Sequence, residues 1–289
     1  MYKVLSDQLP TPDSPLKLTN SGQLELFFIG VGSAFATENH QLNFLIIKGD
    51  QHVMVDFGMT GPRALKETAH LAPSDIEFIL PTHSHADHIG GIECLALMNR
   101  YIGQPMLDKA KLTMIVGEEY QRVLWTHSLQ GGLEWNETDK DTSKRLQFSD
   151  FFEVIRPEWK MFSPRETFEL QLGDIKLEMF RTNHIPEQAE GWEASFISYG
   201  LFIDDHVFVS MDTKFDRSLI DLYADRSEVM FHDVQFHPGS VHAPLEDLRT
   251  LPAEVKEKML LMHYADNWRD QDIEGFAGWT QQGVSYVFY

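Results

Sequence analysis

The sequence predicts a mixed α/β (α+β) fold made of two strand-rich halves, on three observations. Short apolar or alternating runs at 24–29, 43–48, 52–56 and 76–80, separated by Gly-rich and polar turns, read as strands of a first half. A second set of the same kind lies at 175–181, 195–203, 206–211, 229–233 and 259–263. Between these runs, apolar residues recur at helical spacing in 61–70, 92–100, 218–223 and 245–258.

Each element has a local reason. Residues 1–22 are rich in Pro, Ser, Thr and Asp and form an extended lead-in, with a single domain expected over 23–289. Gly61-Pro62 opens the first helix, because proline is tolerated at an early helical position, and Ala64, Leu65, Thr68 and Ala69 share a face. The strand at 76–80 runs directly into a histidine-rich loop, and the helix at 92–100 offers Leu95, Ala96 and Met98 to the core. The stretch 117–164 is less regular and reads as an insertion or lid over the site. The last residues, 284–289, alternate like a strand that completes a sheet or an interface, and a homodimer is among the expectations.

Composition bounds the partners. With 289 residues and 43% hydrophobic content, including 20 Phe, 6 Trp and 8 Tyr, the chain can bury a sizeable core. A net charge of −20, from 44 Asp+Glu against 24 Lys+Arg, repels polyphosphate backbones, so extended nucleic acid is not the expected partner. A small anionic substrate is, because bound cations would return positive charge locally. The single cysteine, Cys94, fits a reducing compartment. The N-terminal residues lack the pattern of a signal peptide, and no apolar run approaches the ~20 residues of a membrane helix. The expectation is a cytoplasmic protein without a membrane partner.

The chemistry is concentrated in Thr82-His83-Ser84-His85-Ala86-Asp87-His88. Imidazole nitrogens and carboxylate oxygens are the donors zinc prefers, and a site for two such ions needs about seven, usually with one shared. The loop supplies four candidates: His83, His85, Asp87 and His88. Three more stand just past apolar runs, namely His184, Asp212 and His263. Zinc is the default ion, although manganese, iron or cobalt suit the same donors. Of the 13 histidines, His40, His52, His70, His127, His206 and His237 read as surface or structural residues.

On these residues the sequence is similar to the metallo-β-lactamase superfamily. The resemblance implies an αββα sandwich, two mixed sheets flanked by helices. It also implies that His83, His85 and His184 bind one metal, that Asp87, His88 and His263 bind the second, and that Asp212 bridges them. Asp56, in Val55-Asp56-Phe57-Gly58, matches the position that supports the metal loop from behind the ligands.

Within the superfamily, several segments resemble ribonuclease Z and its relatives. They are Phe28-Ile29-Gly30-Val31-Gly32-Ser33-Ala34, the run Asp56-Phe57-Gly58-Met59-Thr60-Gly61, and Asp233-Val234-Gln235-Phe236 followed by His242. The resemblance implies catalytic roles for His242, which assists the leaving group, for Asp233, which orients it, and for Asp87. The interval from His184 to Asp212 is too short for the tRNA-gripping arm that many ribonucleases Z carry there. The expected activity is therefore that of a compact phosphodiesterase, in which a metal-bridging hydroxide attacks a small phosphodiester such as a cyclic nucleotide. The alternatives are a lactone, ester or β-lactam hydrolase on the same metals, a tRNA 3′ endonuclease, or a noncatalytic nucleotide-binding protein. Trp125, Trp135, Trp159 and Trp192 are candidates to stack on a base, with core packing or an oligomer contact the alternative for each.

Overall fold

The computed structural model describes residues 2–6, 9–239 and 241–289. Its strands are β1 (Tyr2–Leu5), β2 (Leu24–Gly30), β3 (Asn43–Lys48), β4 (Gln51–Val55), β5 (Phe78–Leu80), β6 (Leu112–Ile115), β7 (Phe152–Ile155) and β8 (Glu158–Met161). They continue as β9 (Thr167–Leu172), β10 (Ile175–Arg181), β11 (Tyr199–Ile203), β12 (Val207–Val209), β13 (Val229–Asp233), β14 (Met259–Met262), β15 (Gly278–Trp279) and β16 (Val284–Phe288). They build two eight-stranded sheets, ordered β1-β16-β2-β3-β4-β5-β6-β7 and β15-β14-β13-β12-β11-β10-β9-β8. The C-terminal run therefore lies inside a sheet, between β1 and β2, and the first residues of the lead-in pair with it as an edge strand.

Both sheets are mixed, antiparallel on one side and parallel on the other. In β2 every residue except Glu25 is buried, the pattern of a strand covered on both faces. Between the sheets, the Phe28 ring lies 4.9 Å from Phe231 of the opposite sheet and 5.0 Å from Phe44, and Tyr286 meets Phe231 edge-on at 5.1 Å. Such offset and edge-on pairs are the favoured aromatic geometries. Outside the second sheet, helix Arg217–Ala224 is capped by Asp216, which accepts from the Leu219 N–H at 3.0 Å. It sets Tyr223 against Phe180, Phe202 and Phe208.

The topology brings the chemistry to one edge. β4 and β5 are parallel, so Asp56 and the Thr82–His83 pair leave the first sheet side by side. β10 and β12 both run antiparallel to the intervening β11, and β12, β13 and β14 are parallel. The residues after β10, β12, β13 and β14 therefore emerge together, facing the loop of the first sheet.

Several elements differ from the expectation for local reasons. The helix expected over 245–258 is two short ones, Leu245–Leu248 and Ala253–Lys256, because Pro252 cannot continue the first. The strand expected from 195 begins only at Tyr199. Ser195 spends its hydroxyl on Asn183 Oδ1 and Gly191 O, a local alternative to the ladder. The helix at 92–100 runs on to Leu107 through a wider π-type turn at Asn99–Gly103, which coincides with Pro105 and its missing N–H. Residues 117–164 hold helix Glu118–Leu124 with its continuation, helix Phe148–Phe151, and the edge strands β7 and β8.

His52, on β4, is a structural histidine with a measurable consequence. It is 4% exposed, and its Nε2 accepts the Glu77 N–H at 3.1 Å, which a protonated ring cannot do. Burial lowers its pKa from 6.5, with smaller opposing and reinforcing effects of Glu77 and Lys109. A folded-state pKa below the unfolded one means that its stabilisation is present above about 6.5 and is lost as the pH falls below that value. Urea midpoints of His52→Gln should therefore fall less steeply than those of the parent between about pH 7 and 5. Parallel curves would remove His52 from the acid response.

Candidate metal centre

The loop after β5 turns into one helical turn, Ala86–Ile89, with His85 as its N-cap. This alternation sends His83 and His85 to one side and Asp87 and His88 to the other. Each strand end opposite adds a donor. His184 follows β10, Asp212 follows β12 and His263 follows β14, and all three are buried. Met211, beside Asp212, and His263 itself adopt positive φ values of 48° and 60°, as does Asp56 at 57°. Non-glycine residues pay roughly 1–2 kcal/mol for this conformation, so three of them around one cluster mark strain held by the site.

Among the described residues the donor atoms form four overlapping clusters; two of them, which share Asp212, take in all seven expected ligands, and the others are Asp212, Asp233, His242 and His263, and Asp56, His83 and His88. His83, His85, His184 and Asp212 lie within 4.8 Å of one another, and so do Asp87, His88, Asp212 and His263. His184 Nε2 stands 3.1 Å from His85 Nδ1. Asp212 Oδ2 lies 3.5 Å from His83 Nε2, 3.6 Å from His184 Nε2, 3.2 Å from His88 Nε2 and 3.7 Å from His263 Nε2. Asp87 Oδ2 is 3.3 Å from His88 Nε2 and 3.2 Å from His263 Nε2. Four ligands at ~2.1 Å from a tetrahedral zinc are spaced by about 3.4 Å, which these separations bracket.

Hydrogen bonding gives the same picture. Among the described residues, His83 Nε2, His88 Nε2 and both Asp212 oxygens are buried without a hydrogen-bond partner. Buried polar atoms of this kind are costly unless something else satisfies them. The far side of the His88 and His184 rings is hydrogen-bonded, and that of His263 faces a carboxylate. His88 Nδ1 donates to Asp56 Oδ2 at 2.7 Å, His184 Nδ1 donates to the Val241 carbonyl at 2.8 Å, and His263 Nδ1 lies 3.3 Å from Asp233 Oδ1. Fixing the tautomer in this way leaves Nε2 as a lone-pair donor toward the centre. The residues fit divalent cations.

The electrostatics agree. Burial, reinforced by the other imidazoles, holds His83 well below the ordinary histidine value and His184 at about 4, against the pull of Asp212. Burial also opposes a proton on His88 and His263. There the carboxylates of Asp212 and its neighbours outweigh it and raise both, His263 to about 10. Protons and cations therefore compete for the same rings, so cation binding releases protons and weakens as the pH falls.

Asp56 supports the loop through three bonds. It accepts from the Thr82 N–H and hydroxyl and from His88, each at 2.7 Å. Gly58, two residues on, is required by close approach: a Cβ there would lie 1.8 Å from the Asp87 carbonyl oxygen. Asp56→Ala should lower metal affinity by about 10- to 100-fold while the other ligands remain. Competition with a chromogenic chelator measures this, and unchanged affinity would reduce Asp56 to a turn residue.

His242 sits beside the cluster. Its Nδ1 lies 2.8 Å from Asp233 Oδ2 and 3.9 Å from Asp212 Oδ2. Burial lowers its pKa, but the Asp233 and Asp212 carboxylates outweigh this and raise it. Asp233 Oδ2 also accepts the Thr213 N–H at 3.1 Å, and its Oδ1 lies 3.3 Å from His263 Nδ1, so the carboxylate stands between the His242 and His263 rings. A cavity of about 810 Å³ opens here, lined among others by Phe35, Met59, His85, Asp87, His242 and His263.

Sequence reasoning missed several contributors: Thr82, the Val241 carbonyl, the second bond of Asp233, and the Phe35 and Met59 lip. The tryptophans named as base-stacking candidates lie elsewhere, and none of the four lines this cavity. Trp192 is 7% exposed, its ring spent on Phe162 at 5.1 Å, and Trp135 lies under the Arg145 guanidinium. Residues 117–164 also contribute nothing to the cavity lining, although Tyr120 accepts from Ser84 in the metal loop at 3.2 Å.

A family model described as Anti-Pycsar protein Apyc1 matches residues 24–286. The chain belongs to the Apyc1 family. Anti-Pycsar protein Apyc1 of Bacillus phage BSP38 is 34% identical over 270 residues, covering 91% of this chain and 98% of its own. The protein of the same name from Paenibacillus xerothermodurans is 34% identical over 276 residues, covering 92% and 98%. Among solved structures, the metallo-β-lactamase fold protein YhfI from Bacillus subtilis superposes with a TM-score of 0.65 at 16% identity, covering 92% of this chain and all of its own. The short form of human tRNase Z gives 0.60 at 13% identity, covering 89% and 96%. These neighbours show that this Apyc1-family chain has the metallo-β-lactamase fold, as the sequence resemblance implied. The fold and the His/Asp cluster together support a metal-dependent hydrolase. Among the described residues, no helix is long and apolar enough to cross a membrane.

Proposed function

We propose that the chain is a dinuclear metal-dependent phosphodiesterase for a small phosphodiester such as a cyclic nucleotide, with zinc as the expected ion. His83, His85, His184 and Asp212 would hold one cation, and Asp87, His88, His263 and Asp212 the other. When bound, divalent cations supply Lewis acidity, which makes water a better nucleophile and neutralises phosphoryl oxygens.

The observation that carries the phosphodiester reading is the 2.8 Å contact of His242 with Asp233 at the edge of the cluster. Asp233 occupies Nδ1, so Nε2 is the nitrogen that can deliver a proton. An alkoxide leaving from phosphorus needs that proton, and His242 gives it to the departing oxygen while Asp233 holds the ring. The net charge of −20 favours a substrate small enough to enter the cavity over an extended nucleic acid.

A hydrolysis panel tests the reading on metal-loaded protein: cyclic mononucleotides, bis-p-nitrophenyl phosphate, a lactone, a β-lactam and a precursor tRNA. Turnover of the phosphodiesters alone is expected. Turnover of the lactone or β-lactam with none of the phosphodiesters would replace this proposal by an acyl hydrolase.

A further inference from the structure

Phe35 is 94% exposed, whereas Phe27, Phe28 and Phe44 close to it in the chain are at 1% or less. Folding gains nothing from leaving this ring in water. It is nevertheless held on the lip of the cavity that also takes in His85, Asp87 and His242, and Met59, 57% exposed, stands on the same lip.

The loop that carries Phe35 is tied on both sides. The Thr37 N–H and hydroxyl donate to the Asp266 carboxylate at 2.9 and 2.6 Å, and the Glu38 N–H does so at 3.0 Å. The Ser33 N–H donates to the Tyr264 carbonyl at 3.1 Å. Gln41 links this loop to the segment that carries Met59. Its Nε2 donates to the Ala34 carbonyl at 3.0 Å, and its Oε1 accepts the Thr60 N–H at 3.1 Å. The backbone that carries the exposed ring is thus fixed beside the cluster, and a pre-positioned loop costs little further ordering when a flat ligand meets the ring.

We propose that Phe35, with Met59 beside it, is the subsite for the heterocyclic base of the substrate, stacking on the base while the phosphodiester lies at the His/Asp cluster. This rests on the phosphodiesterase reading above. Asn267, exposed and lining the same cavity, offers an amide donor and acceptor to the edge of the base. Stacking accepts any base, so discrimination between bases is weak and follows stacking area.

The test compares the parent, Phe35→Ala and Phe35→Trp on a purine cyclic nucleotide and on ribose cyclic phosphate without a base. Phe35→Ala should raise KM for the nucleotide by roughly 5- to 100-fold with kcat little changed, and Phe35→Trp should restore it. The base-free compound should show the same KM with all three proteins. An unchanged nucleotide KM in Phe35→Ala overturns the proposal, including when sedimentation shows that the ring instead serves a contact between copies. An equal rise on the base-free compound also overturns it. If the parent turns over neither compound, the phosphodiesterase reading fails, and calorimetric titration with the cyclic nucleotide still decides the subsite. Weaker binding by Phe35→Ala supports it, and equal affinity overturns it.

Discussion

Asp212→Ala should abolish metal-dependent turnover and the retention of cations together. Asp212 Oδ2 faces four imidazoles from both donor sets at 3.2 to 3.7 Å, so its loss opens both sets at once. Residues that only support a ligand already cost about 10- to 100-fold in affinity or activity, and a shared ligand should exceed the upper figure. Asp212→Asn should fail similarly, because the amide keeps the volume but not the negative charge that holds cations and imidazoles together. Elemental analysis after gel filtration and the rise in melting temperature on zinc addition measure the loss independently of any substrate. Full metal content in both variants would remove Asp212 from the centre.

His242→Ala should lower turnover by roughly 10²- to 10⁴-fold while the protein keeps its metals. His242 is absent from the two sets proposed to hold the cations, although it forms a third cluster with Asp212, Asp233 and His263, and its Nδ1 is bonded to Asp233 at 2.8 Å. The loss should be large for a ribose leaving group and small for p-nitrophenolate, which departs without a proton. Asp233→Asn should behave differently. Asp233 holds both His242 at 2.8 Å and His263 at 3.3 Å, so its replacement should lower turnover and metal affinity together. Equal losses on good and poor leaving groups in His242→Ala would contradict proton donation, as would loss of metal.

Most of the centre could be read from the chain because its chemistry is local or punctuated. Four donors fall within the loop 83–88, and His184, Asp212 and His263 each stand just past a short strand-like run. The pairing of Asp233 with His242 was legible through resemblance and is a direct contact in the fold. What stayed hidden depends on tertiary distance. The carbonyl of Val241 behind His184 leaves no trace in residue type, and neither do the positive φ angles at Met211 and His263. Phe35 was invisible for a related reason: a phenylalanine after a strand reads as core until its exposure is known. The tryptophans left two readings open, base stacking or packing, since composition cannot separate a ring facing a cavity from one spent on a neighbour such as Phe162. The helix at 92–100 was placed but runs on to Leu107 through a π-type turn near Pro105, and the one at 245–258 is broken before Pro252, in ways that periodicity does not predict.

Anomalous scattering from crystals grown with zinc tests the central claim most directly. Two peaks about 3.5–4 Å apart are expected. One should be ringed by His83, His85 and His184, the other by Asp87, His88 and His263, with an Asp212 oxygen on both. A single peak at full occupancy, or two peaks that Asp212 does not join, would contradict the dinuclear centre on which the proposed chemistry depends.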